Sequence, residues 1–455
     1  MDTIQVQFLG ASGTVTGSKY LIKAFGKNIL IDCGLFQGLK ILRLENWKHL
    51  PVNAGEIDCV LLTHGHLDHV GYLPCLMKEG FSGKIHCTEP TRDIASIILK
   101  DSAKLQEEEA DKANQYGYSK HKPAVPLYTL KDAELTLTHF VPEIRDAWHT
   151  LSDQIRYRFR YAGHIIGACF IELDLNGKIY VFSGDVGRVN DPLLHNPERP
   201  QKADVLFIES TYGDRMHPQD EPMDVFEKII EDTLSQNGRI IIPSFAVERT
   251  QLLIFLLWKM RNAGKIPSIP IYIDSPMADR VMNVFLKYAE WHKLDAQTCE
   301  EMFKHIQVVK TMQESMAIVA KNQAGIIIAG SGMATGGRVL NYFAKYLGDP
   351  TATILLVGYQ AEGTRGRSLL DGEKNIKFFG KIFEVRARIA YLPGLSAHAD
   401  QQGLLDWVSE ISNTPSKIFV VHGEKAASQA LSDQLKQRYA WHSEIPELYA
   451  THYLA

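Results

Sequence analysis

The chain is poor in the features that would place it outside the cell or in a membrane. Its six cysteines, at positions 33, 59, 75, 87, 169 and 299, are scattered through 455 residues with no Cys-x-x-Cys pair. Most fall in apolar, strand-like runs, so buried and reduced thiols are expected rather than a disulfide framework. The apolar run Leu252–Trp258 is far too short to span a membrane. Residues Met1–Gln5 lack the basic-then-apolar pattern of a signal, and a cytoplasmic location is expected. There is no low-complexity segment, repeat or Gly/Ser-rich linker. Charge of one sign is also scarce: the formal net charge of -4 excludes a generally basic nucleic-acid binder. It leaves room for a local basic cleft, because acidic metal ligands lower the sum without making the surface acidic.

A chain of 455 residues with 45% hydrophobic residues is globular and too long for one core. The first half reads as short strands: Val6–Leu9, Tyr20–Ile22, Ile29–Asp32, Cys59–Thr63, and a hairpin of Phe170–Leu175 and Lys178–Ser183 turning at Asn176-Gly177. Thr91–Ala113 reads as a helix with a heavily charged face. After Glu209 the rhythm changes. Apolar runs at Arg239–Ile242, Ile271–Asp274, Gly325–Ala329 and Thr353–Val357 alternate with helical stretches at Pro222–Ser235, Thr250–Ala263, Pro276–Tyr288 and Gln313–Lys321. That is the pattern of a parallel α/β sheet, whose ligands sit at the carboxyl ends of its strands. From about Ile389 the earlier pattern returns. The expected boundaries are 1–208 and 389–455 for one split domain and 209–388 for an insertion.

The densest chemistry is His64-Gly65-His66-Leu67-Asp68-His69, after a buried strand. A short turn cannot satisfy three imidazoles and a carboxylate internally, and together they suit zinc or a similar divalent ion. The side chains are expected to project from a strand end. Residues two apart reach one ion; Asp68 and His69 then face a second. Further candidates each follow an apolar strand beside glycine: His164 in Ala162-Gly163-His164, Asp185 in Gly184-Asp185-Val186-Gly187, and His422 in Val421-His422-Gly423-Glu424. Other histidines, His292 among them, sit among polar residues and read as solvent-facing.

The order Asp32, His64-x-His66-x-Asp68-His69, His164, Asp185 resembles the sequential motifs of the metallo-β-lactamase superfamily. Phe207-Ile208-Glu209-Ser210-Thr211-Tyr212-Gly213, Gly394-Leu395-Ser396-Ala397-His398-Ala399-Asp400 and Val421-His422-Gly423-Glu424 resemble the three motifs of its β-CASP nucleases. The resemblance covers essentially the whole chain and implies an αββα sandwich interrupted by a parallel-sheet β-CASP domain. It implies two zinc ions, with manganese or iron as alternatives, one on His64, His66 and His164 and one on Asp68, His69 and His422. Asp185 would bridge them, and Asp32 would orient a ligand histidine. Glu209 would hold His398 as a proton donor, and Asp68 would be catalytic as well as a metal ligand. A histidine at position 422 marks RNA-processing members, so the implied substrate is single-stranded RNA, met by a monomer or homodimer.

In the insertion, Gly330-Ser331-Gly332-Met333-Ala334-Thr335-Gly336-Gly337-Arg338 follows a strand and precedes a helix, where backbone N–H groups approach a phosphate. Ser331, Gly332 and Arg338 are therefore expected to bind substrate, with Ser244, Arg249, Arg365 and Arg367 from neighbouring loops, although Arg365 or Arg367 could equally pair with an acidic neighbour. Three rivals remain open: a DNA nuclease of the same fold, a hydrolase of small esters or lactams, and a non-catalytic RNA-binding scaffold. The last should lack metal ligands, and all seven are present.

Overall fold

Alternate burial of Ile4, Val6 and Phe8 shows the first strand lying on a core with one face inward. The computed structural model describes residues 3–117, 119–218, 222–321, 323–392 and 394–454; Met1 and Asp2 of the N-terminal run lie outside them. The chain divides into two units, Met1–Met216 with His398–Ala455, and His217–Ala397.

Along the chain the strands are β1 (Ile4–Phe8), β2 (Tyr20–Ala24), β3 (Lys27–Ile31), β4 (Cys59–Leu61), β5 (Lys84–Thr88), β6 (Phe140–Glu143), β7 (His149–Ser152), β8 (Ile155–Tyr161), β9 (Cys169–Leu175), β10 (Lys178–Phe182) and β11 (Val205–Glu209). In the insertion they are β12 (Arg239–Pro243), β13 (Ile271–Asp274), β14 (Ile306–Val308), β15 (Gly325–Ala329), β16 (Thr353–Val357), β17 (Asn375–Phe378), β18 (Lys381–Glu384) and β19 (Arg388–Leu392). β20 (Lys417–Val421) and β21 (Thr451–Leu454) complete the chain.

The first unit contains two sheets, ordered β21-β1-β2-β3-β4-β5-β6 and β20-β11-β10-β9-β8-β7. They face each other through aromatic rings: Phe8 lies 4.9 Å from Phe419 and 6.0 Å from Phe207, and Tyr20 lies 6.4 Å from Phe182, centroid to centroid. On the outer face of the first sheet, Val60, Leu62 and Ile85 pack with Leu73, Leu76, Ala95, Leu99 and Ala133 of helices Leu73–Lys78, Glu89–Tyr116 and Leu130–Leu137. On the other outer face, Val181, Leu206 and Val420 pack with Leu404, Trp407, Leu431 and Leu435 of helices Gln401–Val408 and Lys425–Tyr439. This is the αββα sandwich.

The second unit holds six strands in the order β14-β13-β15-β12-β16-β19, every neighbouring pair parallel. Ile240–Ile242 and Ile326–Ile328 are continuous apolar runs because both faces of this sheet are covered. The β17–β18 hairpin stands apart from it.

The unit boundaries differ from those read in the sequence. Glu209 pairs with Val421 and stays in the first unit's sheet, so that unit continues to Met216. The strand containing Ile389 does not rejoin the first domain; it pairs in parallel with β16, Ile389 opposite Ile354, and the return comes only at His398. His292 is buried, not solvent-facing: its Nε2 lies 2.8 Å from the Phe285 carbonyl and its Nδ1 accepts the Leu294 N–H. All six cysteines are free and buried. Among the described residues no helix is long and apolar enough to cross a membrane.

Candidate metal centre

The site residues stand where strands of the first unit end. His64 follows β4, His164 follows β8, Asp185 follows β10 and His422 follows β20. Asp68 and His69 differ from the expectation of a strand-end projection. They ride on a single helical turn, Leu67–Val70, for which His66 is the N-cap. The turn closes through the Val70 N–H donating to the His66 carbonyl at 3.0 Å.

The donor atoms of the expected metal ligands form two clusters, and Asp185, Glu209 and His398 make a third group beside them. In the first, His66 Nδ1 lies 3.1 Å from His64 Nε2 and 3.2 Å from His164 Nε2, and Asp185 Oδ2 lies 3.3 Å from both Nε2 atoms. In the second, His69 Nε2 lies 3.1 Å from His422 Nε2 and 3.3 Å from Asp185 Oδ1, while Asp68 Oδ2 lies 3.6 Å from His422 Nε2. Nitrogen ligands at about 2.0–2.1 Å from a tetrahedral zinc stand about 3.3 Å apart. The residues present therefore fit a divalent metal by spacing as well as by type. Asp185 turns one carboxylate oxygen to each cluster.

Protonation agrees with that fit. Burial, then the neighbouring imidazole of His64, pushes the His66 pKa down to about 3. Burial and His398 hold His164 well below the usual histidine value, and burial with His69 lowers His64. These imidazoles are neutral and present lone pairs to a common point. Burial opposes charge on Asp185, but His422, His69 and His64 outweigh it and keep it ionised.

The outward nitrogens are held by oxygens. Asp32 Oδ2 lies 2.7 Å from His69 Nδ1, while Asp32 Oδ1 accepts the Thr63 N–H at 2.8 Å. Burial disfavours charge on His69, but the carboxylates of Asp185 and Asp32 outweigh it and raise its pKa. Thr63 Oγ1 lies 3.1 Å from His64 Nδ1, and Thr211 Oγ1 lies 3.3 Å from His422 Nδ1. Neither threonine was singled out in the sequence; the available signal was their position beside a motif residue.

Glu209 and His398 form a separate pair. The fully buried Glu209 accepts the Val186 N–H at Oε1 (2.7 Å) and the Thr211 N–H at Oε2 (3.2 Å). His398 Nδ1 sits 3.1 Å from Glu209 Oε1. An ionised carboxylate only accepts, so the proton of that contact belongs to His398 Nδ1. Its Nε2 lies 4.0 Å from Asp185 Oδ2. Burial opposes protonation of His398, but Glu209 outweighs it and raises the pKa.

The expected substrate-binding residues gather among loops of the second unit. Gly332 packs so closely on Phe245 that a Cβ would lie 2.6 Å from the ring, and a Cβ on Gly358 would lie 3.1 Å from Arg249. Ser331 Oγ accepts the N–H groups of Thr335 (3.1 Å) and Gly336 (3.3 Å), closing the glycine-rich loop on itself. Ser244 is buried, its Oγ 3.1 Å from Thr250 Oγ1. Arg338 is committed to buried Asp274 at 2.6 Å and to the carbonyls of Val309 and Lys310. Arg365 donates to the carbonyls of Ala334, Thr335 and Lys377, and Arg367 to Asp371. The guanidiniums of Arg338, Arg365 and Arg367, which read as phosphate contacts, thus hold protein oxygens.

Comparison with known proteins agrees with this architecture. Residues 13–230 match the metallo-beta-lactamase superfamily, 250–369 the Beta-Casp domain, and 382–446 the Zn-dependent metallo-hydrolase RNA specificity domain. Ribonuclease TTHA0252 of Thermus thermophilus is 35% identical over 438 residues, covering 94% of this chain and 95% of that protein. Transcription termination factor FttA of Methanococcus maripaludis is 30% identical over 450 residues, covering 92% of this chain and 67% of that protein. A crystal structure of a protein of unknown function from Enterococcus faecalis V583 shares the fold, with a TM-score of 0.55 at 13% identity over 99% of this chain and 100% of that one. The chain is a metallo-hydrolase of the metallo-β-lactamase superfamily, and it belongs to the β-CASP family within it.

Proposed function

We propose that this chain is a metal-dependent ribonuclease that hydrolyses phosphodiester bonds of single-stranded RNA, using two divalent ions held by His64, His66 and His164 and by Asp68, His69 and His422, with Asp185 shared. The observation that carries the reading is Asp185 offering one oxygen to each cluster while the His398–Glu209 pair stands beside it. RNA is favoured by the relative named as a ribonuclease and by the RNA specificity domain match. Zinc suits the imidazole-rich donor set best. Free, buried thiols suit a reducing compartment such as the cytoplasm.

When bound, such an ion pair supplies an activated water near neutral pH and neutralises charge growing on the phosphate. The protein's own groups do the rest. Asp32 and Thr63 fix the rings of His69 and His64, so their inward lone pairs are set before substrate arrives. His398 carries a proton on Nδ1 towards Glu209 and, while charged, a second on Nε2. It delivers the Nε2 proton to the departing ribose oxygen, which is a poor leaving group as an alkoxide. Glu209, saturated by two backbone donors, keeps the ring in that orientation.

His398→Ala tests this division. The variant retains its full metal content by elemental analysis and cleaves RNA about 10²–10⁴-fold more slowly. Loss of a metal ion with the ring would refute it.

A further inference from the structure

Lys19 is the one lysine with no more than 1% exposure among the described residues, and no carboxylate lies within ion-pair distance of it there. A lone ammonium is costly to bury. Its Nζ donates to the Gly34 carbonyl at 2.6 Å and the Gly17 carbonyl at 3.0 Å. The ring of Phe36 lies 4.5 Å from Nζ and that of Tyr72 5.3 Å. The charge is met by carbonyl dipoles and aromatic faces alone.

What Lys19 holds is the bed of the Leu67–Val70 turn. The Ser18 N–H donates to the Asp68 carbonyl (2.8 Å), the Cys33 N–H to the His69 carbonyl (2.7 Å) and the Leu35 N–H to the Leu67 carbonyl (3.1 Å). The Gly34 N–H donates in turn to the Ser18 carbonyl at 3.0 Å. The approach leaves no slack: a Cβ on Gly34 would fall 1.6 Å from the Asp68 carbonyl oxygen. Residues 17–19 and 33–35 thus clamp the backbone of Asp68 and His69, and the Lys19 ammonium ties the two segments together. Without it, two buried carbonyls would lose their donor and the clamp its cross-link.

We propose that Lys19 is a positioning residue for one half of the metal centre. It sets the affinity of the Asp68, His69 and His422 cluster and leaves the His64, His66 and His164 cluster nearly unchanged, because those residues are carried by the ends of β4 and β8 and by the N-cap before the turn. The inference rests on the two-cluster reading above.

Metal-stripped wild type, Lys19→Met, Lys19→Gln and a core control, Leu435→Ala, are titrated with cobalt(II). Visible absorption and chelator competition give the two affinities, and thermal melts record stability. Wild type takes up two ions. Lys19→Met binds the first within about twofold of wild type and the second at least about tenfold more weakly. Lys19→Gln shows the same split, and decides the matter if Lys19→Met does not fold. Leu435→Ala, destabilised without touching the clamp, shows no split. Equal weakening of both ions, or of neither, in a Lys19 variant overturns the role of Lys19. A wild type that takes up only one ion overturns the two-cluster reading instead, and the division of roles with it.

Discussion

His64, His69, His422 and His398 share a design: one ring nitrogen meets a fixed oxygen while the other points inward. For the first three the oxygens belong to Thr63, Asp32 and Thr211; for His398 it is Glu209. What differs is the fate of the inward nitrogen. In the clusters it faces other donor atoms and would hold a metal ion, whereas that of His398, whose pKa Glu209 raises, would carry a proton. His422→Ala therefore removes a ligand and lowers metal content, which elemental analysis of the purified variant will show as a loss absent from His398→Ala. Glu209→Gln acts on the proton instead. Because Glu209 raises the His398 pKa, the charged ring persists to higher pH, and activity falls as pH rises through that pKa. Removing the negative charge lowers it, so the alkaline limb of the rate profile moves to lower pH, read from kcat against pH at saturating metal. The sign for stability is the same: a raised histidine pKa stabilises the fold below its unfolded value, and that contribution is lost as pH rises through the folded one. His164, Asp185 and His422 were legible in the sequence because each follows an apolar run beside glycine, and His64, His66, Asp68 and His69 because they crowd into one short run. Thr63 and Thr211 were not, since a single hydroxyl acquires a partner only when distant strands are brought together.

Among the elements, the strands of the second unit were readable as continuous apolar runs, and their loops as candidate ligand sites. The use of Arg338 and Arg365 was not readable, because their partners lie 12 or more residues away, whereas Arg367 meets Asp371 four residues on, the acidic-neighbour pairing that the sequence left open. Arg338 pairs with Asp274, 64 residues earlier, and Asp274 also accepts the Tyr342 hydroxyl at 2.7 Å. This favours an anchoring role over phosphate contact. Arg338→Met strands a buried carboxylate and is expected to cost about 3–5 kcal/mol of stability, measured by urea unfolding. If the arginine does not touch RNA, the slope of log binding constant against log salt stays as in wild type. A slope smaller in magnitude by about 1 would instead assign Arg338 a phosphate contact. The short helical turn bearing Asp68 and His69 also escaped the sequence, since four residues are too few for a periodicity.

At the scale of the whole molecule, alternation of strand-rich and strand-helix segments revealed an insertion, but its end was misplaced. Arg388–Leu392 reads as a strand in either domain, and only its parallel pairing with β16 decides which sheet it joins. His398 is thereby the first residue of the returning sandwich, and its isolated bridge to Gly187 sets it beside the loop that carries Asp185. The proposed ligands, the oxygens that hold their rings and the proposed proton donor all belong to one unit formed from two separated stretches of chain. The most direct test of the central claim is digestion of end-labelled single-stranded RNA and sequence-matched DNA, with protein first stripped of metal and then reloaded with zinc or manganese. The reloaded protein should cleave the RNA and leave the DNA largely intact, with the stripped protein inactive on both. RNA cleavage undiminished by metal removal, or a reloaded enzyme that cuts DNA and not RNA, would contradict it.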